Sequence, residues 1–135
     1  MEGNLLHQDI SYVIRGILYQ VHNELGQFRG EKQYCDRIEF ILKERQIEYV
    51  REYVIPESFV GERRGRNRVD FFIAGRVFVE VKVVPSFSPE IFKQCKRYLV
   101  SSGKDLLLLV NFYHKSTVIE RVLNPNFKNQ SHGTP

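Results

Sequence analysis

The sequence predicts an α/β domain in which a central mixed β-sheet is flanked by helices, and three observations carry that prediction. Hydrophobic periodicity changes along the chain in the order helix, helix, strand, strand, strand, helix, strand, strand. The run Leu106-Leu107-Leu108-Leu109-Val110 is too short for a membrane span and too uniformly apolar for a half-exposed strand, so it fits a central strand covered on both faces. With 135 residues, 42% hydrophobic and 27% charged, the chain can bury one core without staples.

Each element has its own local cause. Ile10, Val13, Ile14, Ile17, Leu18 and Val21 form the stripe of an amphipathic helix that ends near Leu25, with Gly26 as its stop. From Glu31, the positions Tyr34, Ile38, Ile41 and Leu42 repeat the helical period, and Lys43-Glu44-Arg45 places mostly cationic residues at the negative helix end. Ile47 to Ile55 is rich in Tyr, Val and Ile and reads as a strand ended by Pro56. Ser88-Pro89-Glu90 starts a third helix, with Ser as cap, Pro at the first helical position and Glu at the positive end; Gly103 stops it. Val118 to Val122 reads as a final edge strand. The domain is expected over residues 1–123, followed by a polar, turn-rich and loose tail over 124–135.

The chemistry is expected in a hairpin. Arg68-Val69-Asp70-Phe71-Phe72-Ile73 and Val77-Phe78-Val79-Glu80-Val81-Lys82-Val83 are apolar strands interrupted by three charged side chains. Burying charge costs several kcal/mol per ion unless it is paired or coordinated, so these positions need a reason. Glu80 and Lys82 share one strand face, and Val79, Val81 and Val83 share the other. Asp70 reaches the Glu80 face only if the turn is irregular. A strict two-residue Ala74-Gly75 loop would set Asp70 opposite Val79, whereas a three-residue loop or a bulge near Gly75 shifts the register by one. Two carboxylates and an ammonium on one face can hold a hard divalent cation and a water beside a phosphodiester. The competing reading is an amphipathic hairpin with a solvent-facing Glu–Lys pair.

Gly61-Glu62-Arg63-Arg64-Gly65-Arg66-Asn67-Arg68 feeds into the Asp70 strand. It reads either as an ordinary solvated loop or as a phosphate contact through Arg63, Arg64, Arg66 and Arg68, whose planar forks suit phosphate oxygens. A net charge of +4 and a pI of about 9.1 mildly favour an acidic polymer as partner. Cys35 and Cys95 fit reduced residues on helices, and His7, His22, His114 and His132 are too scattered for a His-based metal site. No secretory leader pattern or membrane span is visible, and a cytoplasmic location with no membrane partner is expected.

The pattern resembles the PD-(D/E)XK nuclease superfamily and, more narrowly, the small GxxExxY proteins. His22-Asn23-Glu24-Leu25-Gly26 is similar to that family's His-x-x-Leu-Gly, and Glu31-Lys32-Gln33-Tyr34 to its Glu-x-x-Tyr. Asp70, Glu80 and Lys82 match the nuclease signature, Gln94 and Tyr98 match a Gln-x-x-x-Tyr helix of exonuclease-like branches, and Asn111-Phe112 matches as well. Phe28 stands where the name-giving Gly is expected, so the turn before the second helix is expected to be rebuilt. The resemblance implies a restriction-endonuclease-like core and a Mg²⁺-dependent nuclease, with Mn²⁺ as an alternative metal. It implies that Asp70, Glu80 and the Val81 carbonyl bind the metal, that Lys82 orients or deprotonates water, and that Gln94 and Tyr98 hold the substrate backbone. Glu31 is either a further metal or water ligand or a charge suited to a helix N-terminus. Nucleic acid, with DNA as the expected polymer, is the implied substrate, and a homodimer stays open. The alternative is a non-catalytic nucleic-acid-binding or protein-interaction module on a nuclease fold.

Overall fold

A computed structural model describes residues 6–127. Helices α1 (Gln8–Leu25) and α2 (Glu31–Glu44) precede strands β1 (Tyr49–Val54), β2 (Arg68–Ile73) and β3 (Val77–Lys82). Helix α3 (Pro89–Ser102) then leads to β4 (Leu106–Asn111) and β5 (Val118–Leu123). The five strands pair in the order β1-β2-β3-β4-β5. All neighbours are antiparallel except β3 and β4, which run parallel because α3 returns the chain to the start of the sheet.

The sheet separates two cores. On one face, Ile14, Ile17 and Leu18 of α1 and Ile38, Ile41 and Leu42 of α2 pack against Phe71, Val79, Val81, Leu106, Leu108 and Val110. On the other, Cys95, Tyr98 and Leu99 of α3 cover Phe72, Phe78, Leu107 and Leu109. The alternation along β4 divides its leucines between the two faces, so every residue of that strand is buried. This matches the expected central strand, and β5 is an edge as its sequence suggested.

The helix signals operate as read. The Ser88 hydroxyl accepts the Ile91 amide at 3.3 Å, Pro89 opens α3, and Gly103 (φ 73°) closes it in the left-handed region. At the start of α2 the Gln33 carboxamide oxygen accepts the Gly30 amide at 2.9 Å. Of the expected tail, residues 128–135, with His132, lie outside the described residues. Asn124 is buried, and its Nδ2 donates to the carbonyls of Leu99 at 3.0 Å and Lys104 at 2.9 Å.

Candidate active site

The β2–β3 hairpin has a three-residue loop. Ile73 pairs with Val77, and the ladder continues through Phe72–Phe78 to Phe71–Val79, which sets Asp70 opposite Glu80. Ala74 (φ 56°) and Gly75 (φ 65°) both turn left-handed, and the Arg76 amide closes onto the Ile73 carbonyl at 3.0 Å. The irregular register required for the site is therefore present.

Regular pairing stops after Phe71–Val79, where the carboxylates begin. The two strands instead exchange side-chain bonds: Asp70 Oδ2 accepts the Val81 amide at 2.7 Å, and Glu80 Oε1 accepts the Asp70 amide at 3.1 Å. Each acid thus replaces a ladder carbonyl for an amide of the other strand, and each amide keeps its partner. On the far side of β2, Glu52 of β1 adopts φ 54° between the pairs Arg51–Phe71 and Tyr53–Val69, so β1 also departs from regular geometry opposite Asp70.

Burial dominates the electrostatics. Glu80 is buried where β3 pairs with Leu109 of β4, and desolvation together with the Asp70 carboxylate raises its pKa to about 8, against the Asp70 amide and Lys82. Asp70 is also raised, first by burial and further by Glu31, while the Val81 amide, Lys82 and Arg51 oppose the shift. Lys82 Nζ stands 3.7 Å from Glu80 Oε2. Buried thiols bracket the pair: burial first and Asp70 second push up Cys35 of α2, while burial first and Glu80 second push Cys95 of α3 up to about 12. Both thiols are reduced, as their sequence context suggested.

The donor set suits a hard cation. Among the described residues, Asp70 Oδ1 and Glu80 Oε2 accept no hydrogen bond from protein, leaving one carboxylate oxygen on each acid for coordination. Two carboxylates and the Val81 carbonyl of the same hairpin are the oxygen ligands that Mg²⁺ or Mn²⁺ takes, with water and phosphate supplying the rest. A divalent charge would also offset the buried Glu80 and the half-buried Asp70 beside it. No three His, Cys, Asp or Glu side chains among the described residues come close enough to hold a metal between them. Glu31 is accordingly not joined to the pair. It is exposed on the first turn of α2, within electrostatic reach of both acids.

Gln94 and Tyr98 are one turn apart on α3, half-buried and buried respectively. Tyr98 is pushed up to about 12, first by burial and then by the Glu80 carboxylate, which places the phenol in the field of the site. Arg63, Arg64 and Arg66 on the loop leading into β2, and Arg68 at the start of that strand, are exposed, and none forms an ion pair among the described residues.

Several motif residues prove architectural. The Tyr34 hydroxyl donates to the Gly26 carbonyl at 2.6 Å, and its ring stacks on Phe112 at 4.4 Å. His22 meets Phe112 edge-on at 5.3 Å, and its Nδ1 lies 2.6 Å from the Thr117 hydroxyl. Desolvation lowers its pKa, and its buried Nε2 has no hydrogen-bond partner among the described residues. The cluster ties both ends of the α1–α2 turn to the end of β4. In that turn Phe28 takes φ 74° with its side chain in solvent. Asn111 is the residue whose role the motif did not reveal. Its Oδ1 accepts the amides of Val84 and Tyr113, and its Nδ2 donates to the Val84 carbonyl at 2.7 Å, fixing the chain just after Lys82.

A family model of the PD-(D/E)XK nuclease superfamily matches residues 8–122. Among solved structures, the chain is similar to an alkaline exonuclease from Laribacter hongkongensis, with a TM-score of 0.49, 11% sequence identity, and coverage of 83% of this chain and 69% of that chain. No curated protein matches the sequence.

Proposed function

Because the chain belongs to the PD-(D/E)XK nuclease superfamily, we propose that it is a Mg²⁺-dependent nuclease hydrolysing phosphodiester bonds of DNA at Asp70, Glu80 and Lys82. One observation carries this reading: the two acids are locked side by side by the exchanged bonds to the Val81 and Asp70 amides, with Lys82 beside them. A solvated Glu–Lys pair would need neither the break in the ladder nor the burial. Mn²⁺ could replace Mg²⁺ at the same oxygen ligands.

A bound divalent cation supplies Lewis-acid polarisation of the phosphate and acidifies a water. Asp70, Glu80 and the Val81 carbonyl would hold it. Lys82 places an ammonium where it orients the attacking water and offsets charge that grows in the pentavalent transition state. Gln94 and Tyr98 on α3 steady the strand being cut, and Arg63, Arg64, Arg66 and Arg68 hold flanking phosphates without reading bases. Glu31 adds a ligand through water or simply a charge matched to the α2 N-terminus. The sequence segments His22 to Gly26 and Glu31 to Tyr34 support the narrower kinship with GxxExxY proteins.

The test is metal-dependent cleavage of a panel of single-stranded, duplex and branched DNA and RNA, with Asp70→Asn as control. Cleavage in Mg²⁺ or Mn²⁺ that disappears in EDTA and in the variant is expected. Binding without cleavage across the panel would replace this reading by a non-catalytic nucleic-acid-binding module.

A further inference from the structure

The β1–β2 loop carries a feature that the chemistry above does not use. Phe59 and Val60 lie side by side at its tip, 62% and 103% exposed. Two adjacent large apolar side chains in water oppose the hydrophobic effect. The loop is nevertheless well braced: Glu62 Oε1 accepts the Ser58 amide at 2.7 Å and its hydroxyl at 2.9 Å, and Oε2 accepts Asn67 Nδ2 at 2.9 Å. The Glu62 amide donates to the Phe59 carbonyl at 3.2 Å, and the Ile55 amide closes the loop base on Asn67 at 2.9 Å.

The loop leads directly into β2, the strand that carries Asp70. The Glu62 carboxyl is held below its usual range, first by the Ser58 amide, and Arg97 of α3 adds to that shift. The Arg97 guanidinium lies 6.0 Å from the centre of the Tyr98 ring, and Tyr98 stands in the field of Glu80. Arg63, Arg64 and Arg66, all exposed, follow the apolar tip after Gly61 and Glu62.

We propose that Phe59 and Val60 form an apolar wedge that inserts at a base step of a duplex substrate, beside the strand presented to Asp70 and Glu80. The inference rests on the nucleic-acid reading of that site and adds a substrate class, duplex that opens or kinks at the point of contact. Apolar side chains flanked by basic residues unstack base steps in this way, the insertion being offset by phosphate contacts around it. A protein groove would accept the apolar pair but gives no reason for the adjoining arginines. A polyanion accounts for both, and the Glu62 brace keeps the wedge presented before binding.

The experiment uses the full chain carrying Asp70→Asn to prevent cleavage, and a duplex with 2-aminopurine at a single-strand–double-strand junction. Binding should raise the 2-aminopurine fluorescence as its stacking is lost. Adding Phe59→Ser and Val60→Ser should abolish the rise and weaken duplex binding by about tenfold while changing single-strand binding by less than about twofold. Melting temperatures within error of each other would show that both proteins fold. An equal rise in the serine variant, or tight duplex binding with no rise in its parent, overturns the wedge and leaves the nuclease site standing. Failure of the parent to bind any nucleic acid removes the underlying reading and the wedge together.

Discussion

Glu80 is a carboxylate held away from water beside a second carboxylate, and its pH behaviour follows from that placement. Its pKa rises from 4.5 to about 8 on folding, so between those values the native state keeps a proton that the unfolded chain has released. Unfolding then releases that proton, and stability falls as pH rises through the window. In EDTA the melting temperature should therefore decline from about pH 5 to about pH 8, and Glu80→Gln should flatten the decline. Mg²⁺ should raise the melting temperature more at the alkaline end, where it no longer competes with the proton; a uniform increment would place the cation elsewhere. Lys82 separates chemistry from stability. Lys82→Ala should cut Mg²⁺-dependent cleavage by about 10²–10³-fold with substrate affinity nearly unchanged, whereas a mere counter-ion for Glu80 would show its loss chiefly in the melting temperature. These three charges were legible in the sequence because they interrupt apolar strands. Their exchanged amide bonds were not, since they arise only where the β2–β3 ladder ends after Phe71–Val79.

Elements were legible wherever a stop, cap or period acts locally, and illegible where a residue adopts a conformation its side chain does not advertise. The hairpin is an instance of both: charge placement showed that an irregular turn was needed, yet Ala74 at φ 56° gives no signal of the left-handed region. Glu52 at φ 54° inside Val50-Arg51-Glu52-Tyr53 likewise looks like any strand residue. The end of α2 offers a clean test of this cost. The Ile47 amide donates to the Leu42 carbonyl at 2.9 Å and the Gln46 amide to Lys43 at 3.0 Å, a Schellman closure in which exposed Gln46 takes φ 57° where glycine is favoured. Gln46→Gly should relieve the crowding of its Cβ and stabilise the protein by about 0.5–1 kcal/mol, after allowing for the freer unfolded chain. Chemical denaturation measures it. An unchanged midpoint would mean that the backbone at Gln46 is not strained, and cleavage should be unaffected because the residue lies outside the site.

At the scale of the whole molecule, one hairpin lays its carboxylates at the point where two strands part, α2 and α3 close over opposite faces, and an arginine-rich loop leads into the strand that carries Asp70. The fold class was readable because topology follows from the order of periodicities. The role of His22, Tyr34 and Phe112 was not, because residues 22 and 112 meet only after β4 has been threaded beside β3. The chain's other cations also attract a polyanion without specificity, so the loop's share needs a measurement that counts contacts. Salt dependence does this. Each phosphate neutralised on duplex DNA contributes about 0.9 to the slope of log affinity against log salt concentration. If Arg63, Arg64 and Arg66 each hold one phosphate, replacing all three by Ala should flatten the slope by roughly 2.7, weakening binding to every sequence alike. Asp70→Asn should leave the slope nearly intact while removing cleavage, since its carboxylate meets a metal and not a counterion-bearing strand. An unchanged slope in the arginine variant would return the loop to ordinary solvated surface, and a loss confined to one sequence would show that these side chains read base edges.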